Sequence, residues 1–234
     1  MKDQTSMQLK TDKMIARKGD GVGWLIFNNP ARRNAVSMAM WEAVGEAMAD
    51  FEADDSIRVV VMTGEGDKAF VSGADISEFA ENRNSAAAEE RYNEASAQAH
   101  RGMTGLSKPL IAMVQGYCIG GGVAVALAAD IRIAGESARM NCAFINLGLT
   151  SCDLGLSYLL PRIVGTSISA ELMLTGRFIE AERALRTNLV SEVVPDGDME
   201  AAARSYLDEM IATSHLGLRL TKEGMNMGID APGL

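Results

Sequence analysis

The chain has 234 residues, 47% hydrophobic and 23% charged, which is the composition of a soluble globular protein with room for one large domain or two small ones. Its formal net charge of −9 and pI near 4.8 argue against unaided binding to nucleic acid or to an anionic membrane surface, so a polyanionic ligand would need a local positive site. The first residues carry no signal-peptide core, no apolar run reaches the ~18 residues of a membrane span, and three cysteines without a C-x-x-C pair are expected to stay free thiols, so a cytoplasmic protein is expected.

Residues 14–17 and 22–27 flank Lys18-Gly19-Asp20-Gly21, a pattern that predicts a β-hairpin around a tight turn. Trp41, Val44, Met48 and Phe51 recur at three- and four-residue spacing, which puts them on one face of a helix that Asp54, Asp55 and Ser56 end. The run Val59 to Met62 is β-branched and apolar on both faces, as a buried strand requires. The same rhythm returns with an Ala- and Glu-rich helix over 85–107, a stop at Lys108-Pro109 and a buried strand over 110–114. A small, wholly apolar helix over 123–129 and a strand over 131–134 follow.

Beyond Gly155 the pattern is mainly helical. Thr166 or Ser167 is expected to cap a helix that stops at Gly176, and a second helix over 180–186 ends with Asn188 in a left-handed conformation. A strand over 189–194, a turn at Pro195-Asp196-Gly197-Asp198, and helices over 199–212 and 216–227 complete the chain, which runs out through Asp230, Ala231, Pro232, Gly233 and Leu234. The expected layout is an α/β core over 1–165 followed by a helical region over 166–234.

Two glycine-containing turns are candidates for chemistry: Ser72-Gly73-Ala74-Asp75-Ile76, and Gly116 through the triplet Gly120-Gly121-Gly122. Each follows a buried strand and precedes a helix, so each can aim free backbone N–H groups at an anion, and if the turns face each other their donors converge on one oxygen. Glycine-rich turns also occur for packing alone. Neither GxGxxG nor GxxxxGK[ST] is present, which argues against a nucleotide fingerprint. Asp75-Ile76-Ser77-Glu78 has capping-box spacing, so the Asp75 carboxylate has a structural reading as a helix cap beside a substrate-binding one. Asp130, at a helix-to-strand junction, reads as a partner for loose backbone donors.

The ordered series Asn28-Asn29-Pro30-Ala31-Arg32-Arg33-Asn34-Ala35-Val36, then Lys68 through Ile76, then Gly116 through Gly122, resembles the crotonase (enoyl-CoA hydratase/isomerase) superfamily in wording and spacing. The similarity continues through Ala129-Asp130-Ile131-Arg132 and Leu160-Pro161-Arg162 to Thr175-Gly176. The resemblance implies a ββα-spiral core and an acyl-CoA thioester as substrate, with CoA arriving as part of that substrate and no separate cofactor or metal. It also implies assembly as a homotrimer or homohexamer. By the same similarity the N–H groups of Ala74 and Gly121 form an oxyanion hole. CoA-binding positions map to Arg32, Arg33, Ala35, Val36, Ser72, Gly73, Asp75, Ile76, Gly120 and Phe144. Arg32 or Arg33 meets the CoA phosphates in this reading, or is a solvated surface arginine.

Hydratases of the family use two glutamates, whose positions here hold Ala124 and Phe144. Hydration needs a base for water and an acid for carbon, so proton transfer or isomerisation is expected instead. Asp153, in a segment resembling one that carries a functional aspartate in family dienoyl-CoA isomerases and the chlorobenzoyl-CoA dehalogenase, is the expected catalytic carboxylate; a helix cap is its other reading. The dehalogenase's tryptophan ahead of that aspartate has no counterpart. Cys152 has no histidine near it in sequence, and His100 and His215 fall in no recognised motif. The similarity fades after Met227, so the family helices that cover the acyl pocket and join the trimer are expected to be shortened or different. Rival expectations are a non-catalytic acyl-CoA binder and a hydrolase acting on a thioester or β-diketone.

Overall fold

The computed structural model of the chain describes residues 4–78 and 85–231; residues 232–234 of the expected tail lie outside them. A short strand, β1 (Thr5–Ser6), pairs antiparallel with β2 (Met14–Gly19), which forms the expected hairpin with β3 (Val22–Phe27). Asp20 and Gly21 turn that hairpin with φ of 51° and 79°. Helix α1 (Met38–Ala53) opens at Ser37, whose Oγ accepts the Met40 N–H at 3.3 Å. It buries Trp41, Val44, Met48 and Phe51 against the sheet, each such side chain contributing about 1.5–3 kcal/mol. Its C-terminal carbonyls are met by a buried cation: Lys108 Nζ donates to Phe51 O at 2.5 Å and Asp54 O at 2.6 Å.

From here the chain repeats one move three times, laying a strand in each of two sheets and then a helix. The first turn is β4 (Val59–Gly64), β5 (Ala69–Val71) and α2 (Ala86–Thr104). The second is β6 (Leu110–Val114), β7 (Tyr117–Ile119) and α3 (Gly121–Leu127). The third is β8 (Ile131–Gly135), β9 (Arg139–Asn141) and α4 (Leu156–Thr175). After them come β10 (Ile179–Glu180), α5 (Ala181–Arg186), β11 (Glu192–Val194), α6 (Met199–Ile211) and α7 (His215–Asp230). The larger sheet has the order β1-β2-β3-β4-β6-β8-β11, parallel from β3 onward, and the smaller one β10-β9-β7-β5.

The corners between sheets are glycines because main chain packs directly on main chain there. A Cβ on Gly64 would lie 2.3 Å from Ala69 O, and one on Gly116, at φ +54°, would lie 2.1 Å from Lys68 O.

The small sheet was not announced by sequence pattern; its strands have two or three residues, too few for alternation to register. The helix expected from Thr166 or Ser167 begins earlier, at Leu156, and neither residue is its N-cap. The physical reason for the misreading is Gly165, whose φ of 78° and ψ of 165° kink α4, so that one element carries two helical segments. Strand β11 is shorter than expected, since the Leu189 N–H is spent on Ala184 O. The segments after residue 165 supply β10 to one sheet and β11 to the other. Helix α7 is tied down by Lys222, whose Nζ donates to Asp130 Oδ2 at 2.7 Å and to Lys108 O at 2.9 Å. Among the described residues no helix is long and apolar enough to cross a membrane.

Candidate active site

The small sheet sets the site, because β5 and β7 run parallel with Val71 opposite Cys118, so the glycine turns that follow them emerge side by side. Contact there is backbone to backbone. A Cβ on Gly122 would sit 2.0 Å from Val71 O, and one on Gly73 would sit 3.2 Å from Ile119 O. Val36 pins the first turn: its N–H donates to Gly73 O at 2.8 Å and its carbonyl accepts the Asp75 N–H at 2.9 Å. That parallel bridge leaves the Ala74 N–H on the edge away from Val36. In the second turn Gly120 takes φ 54° and its N–H donates to Asn141 O at 2.9 Å, after which Gly121 begins α3. The amides of Ala74 and Gly121 find no acceptor among the described residues.

Both turns open on one cleft of about 790 Å³, within the ~300–1,000 Å³ usual for small-molecule sites. Ser72, Gly73, Ala74, Ile76, Gly120 and Gly121 line its first wall. Helix α2 supplies a second wall with Tyr92, Ser96 and His100, and residues 143–155 a third with Phe144, Leu147 and Asp153. Trp41 reaches the cleft from α1, its Nε1 donating to Tyr92 Oη at 3.0 Å.

Asp153 is exposed at the start of a 3₁₀ turn, Asp153–Gly155, where its Oδ1 accepts the Leu154 N–H at 2.9 Å. The cap of α4 is Gly155, without a side-chain hydrogen bond, so Asp153 does not cap that helix. Leu154 stands at φ 47° and ψ 41°, a left-handed conformation that costs a side-chain-bearing residue about 1–2 kcal/mol. Its methyl lies 3.8 Å from where a Gly121 Cβ would be, so the strained turn packs beside the start of α3. Of the two positions expected from the resemblance to hold glutamates, Ala124 is fully buried in α3, and the Phe144 ring rests on Gly120, 3.6 Å from that residue's ideal Cβ position.

Five expected site residues do not line the cleft. Ala35 and Val36 are buried beneath it. Asp75 is buried as well, its Oδ1 accepting Ser77 Oγ at 2.6 Å and the Ser77 N–H at 3.1 Å, which is the structural cap. Burial pushes that carboxyl up, but the Ser77 hydrogen bonds and the Arg32 charge outweigh it and hold it below the ordinary carboxylate value. The Asp75 N–H that a capping box would use is spent on Val36 O, and Glu78 Oε2 accepts the Met38 N–H at the start of α1. Arg32 is 57% exposed and 3.8 Å from Asp75, whereas Arg33 stacks on the Tyr117 ring at 5.0 Å. Asp130 takes the Leu110 N–H at 2.7 Å, as expected of a junction residue.

His100, which sequence reading left outside every motif, lines the cleft. The fold brings it there by packing α2 beside the Asp153 turn, an adjacency that sequence distance hides. The available signal was a polar stripe on α2, with Tyr92, Ser96 and His100 at four-residue spacing. Burial pushes the imidazole below its ordinary pKa while the Asp153 charge opposes that shift. The cysteines are free; Cys118 and Cys142 are buried, and burial pushes the Cys142 thiol up to about 12, so neither is a nucleophile.

Residues 17–233 match the family model described as enoyl-CoA hydratase/isomerase. The Mycobacterium bovis protein named "Probable enoyl-CoA hydratase echA12" is 41% identical over 218 residues, 91% of this chain and 76% of that one. The short-chain-enoyl-CoA hydratase of Clostridium acetobutylicum is 30% identical over 95% of this chain and 84% of its own. A crystal structure described as an enoyl-CoA hydratase/carnithine racemase from Magnetospirillum magneticum superposes with a TM-score of 0.89 at 29% identity, covering 98% of this chain and 83% of that one. The two-sheet spiral is thus the crotonase fold.

Proposed function

The chain belongs to the enoyl-CoA hydratase/isomerase family, and from that premise we propose that it stabilises the enolate of an acyl-CoA thioester and favours proton transfer or isomerisation over hydration. The observation that carries this reading is the pair of unspent amides, Ala74 and Gly121, on adjoining turns at one cleft. Enolising a thioester puts charge on its carbonyl oxygen, and each preorganised donor aimed there contributes on the order of 3 kcal/mol to the transition state. For a 3-enoyl thioester, Asp153 takes a proton from C2 and the C–H electron pair passes into the carbonyl, giving a dienolate. The protonated carboxyl then returns the proton at C4, the carbonyl re-forms, and the double bond lies between C2 and C3. One carboxylate suffices. Ala124 and Phe144 support the preference, since neither offers a second acid where the family's glutamates stand. The exposed Arg32 is the cation for the CoA phosphates.

The reading includes a homotrimer or homohexamer, supported by apolar Leu216, Leu220, Met225 and Met227 exposed on α7. Sedimentation velocity tests that.

The activity test mixes the protein with 2-enoyl-, 3-enoyl- and dienoyl-CoA of several lengths and follows absorbance and mass. The expected result is double-bond migration that Asp153→Asn slows by about 100-fold. Saturable acyl-CoA binding with no turnover at any pH replaces the enzyme by a binder, and release of free CoA replaces it by a hydrolase.

A further inference from the structure

We infer that His100 is a second proton-transfer group of this cleft, one that activates water for addition to a 2-enoyl thioester with the Asp153 carboxylate as its ionic partner. The inference rests on the reading that an acyl-CoA sits here with its carbonyl on Ala74 and Gly121. His100 lines the cleft from α2 while Asp153 lines it from the turn ahead of α4. Its Nε2 is hidden from solvent beside Gly155 and has no hydrogen-bond partner among the described residues, which leaves Nδ1 as the ring nitrogen for water in the cleft. The fold makes room for the ring. Gly155, at φ +72°, would carry a Cβ 3.0 Å from His100 Cε1 and 3.5 Å from Nε2, so a side chain at 155 would displace the imidazole.

Among the described residues the charged groups around it are few. Glu89 and Arg101 line the cleft from the same helix, Asp153 faces it from the opposite turn, and the described glycine-turn wall carries no charge. A half-buried imidazole held below its ordinary pKa is in the neutral form that accepts a proton near neutral pH. In the step inferred, the imidazole takes a proton from water as the water oxygen bonds to C3. The C2–C3 π pair moves toward the thioester and leaves the carbonyl oxygen negative. The imidazolium then gives its proton to C2, the carbonyl re-forms, and the sum is addition of H and OH with no other reactant. Asp153 stays ionised and stabilises the imidazolium. A base on α2 thereby does the work for which Ala124 and Phe144 have no functional group.

The test uses crotonyl-CoA, followed by loss of enoyl absorbance and gain of one water in mass, beside butyryl-CoA in D2O, where deuterium entry at C2 reports enolisation alone. Wild type is expected to do both. His100→Gln is expected to lose about 100-fold in hydration, and less in deuterium exchange, and to lose the fall in rate that wild type shows as acid protonates the imidazole. Added imidazole is expected to restore His100→Ala; should that variant not fold by circular dichroism, His100→Asn takes its place. Hydration with unchanged rate and pH profile in His100→Gln overturns the inference alone, as does a wild type that exchanges but never hydrates. A wild type inert toward both substrates overturns the acyl-CoA reading and the inference with it.

Discussion

The cleft has one wall made of main chain and another made of side chains, and the two are held by different physics. In the first, glycines let strands and turns touch through their peptide groups, with Gly122 against Val71 O and Gly73 against Ile119 O, and no side chain could enter without moving backbone. In the second, Tyr92, Ser96 and His100 of α2 face Asp153 across space that a ligand would occupy. In the function proposed, the wall of peptide groups fixes where an oxygen sits. The wall of side chains then decides what happens at the carbon beside it, and can be rewritten without refolding.

The sharpest way to break this comparison is Gly122→Ala, whose methyl would lie 2.0 Å from Val71 O. It is expected to destabilise by more than about 4 kcal/mol, or to prevent folding, in urea titrations. Next comes Asp153→Asn on the opposite wall, expected to lower kcat by about 100-fold. Because that side chain is exposed and not a helix cap, the same titration should move by under about 0.5 kcal/mol. Tyr92→Phe removes the acceptor of the Trp41 N–H at 3.0 Å, and about 1 kcal/mol of stability is expected to go with it. Gly197→Ala meets nothing within 4 Å and is expected to stay within about 0.5 kcal/mol of wild type, the control for glycines outside the cleft.

The pH dependence is the finest of these tests. Burial depresses the His100 pKa, so between its folded value and the ordinary one near 6.5 the unfolded chain binds more protons. Stability is therefore fully present above about 6.5 and falls as pH drops through that window. His215, also depressed, adds a slope of the same sign. Thermal melts across the window should show a shallower slope in His100→Gln, and an unchanged slope would mean that partial burial does not depress the imidazole's pKa.

Much of this was legible in the residues. Hairpin, buried strands and amphipathic helices follow from turn chemistry and periodicity, as with Asp20-Gly21 and the Trp41-to-Phe51 stripe. The motif wording led to the crotonase fold and to the two turns that do adjoin. The small sheet was hidden because Ala69–Val71, Tyr117–Ile119 and Arg139–Asn141 are strands only by virtue of their pairing with one another. His100 was hidden for a related reason, since its meaning comes from Gly155 and Asp153, which are near it only in space. The start of α4 was misread because Gly165 bends a helix that continues across it.

Helix α7 departs from the way the other long helices are seated. Its described side chains show a single buried member, Lys222, and that residue docks through its charged tip. A helix fastened by cations, Lys222 and, at 3.7 Å from Glu52, the more exposed Arg219, instead of glued along an oily seam, has a detachment energy set by those few fastenings. It is the piece able to leave while the spiral stays whole, so its amides are expected to exchange as a group well ahead of those in α1, and Lys222→Met should turn that early release into the resting state.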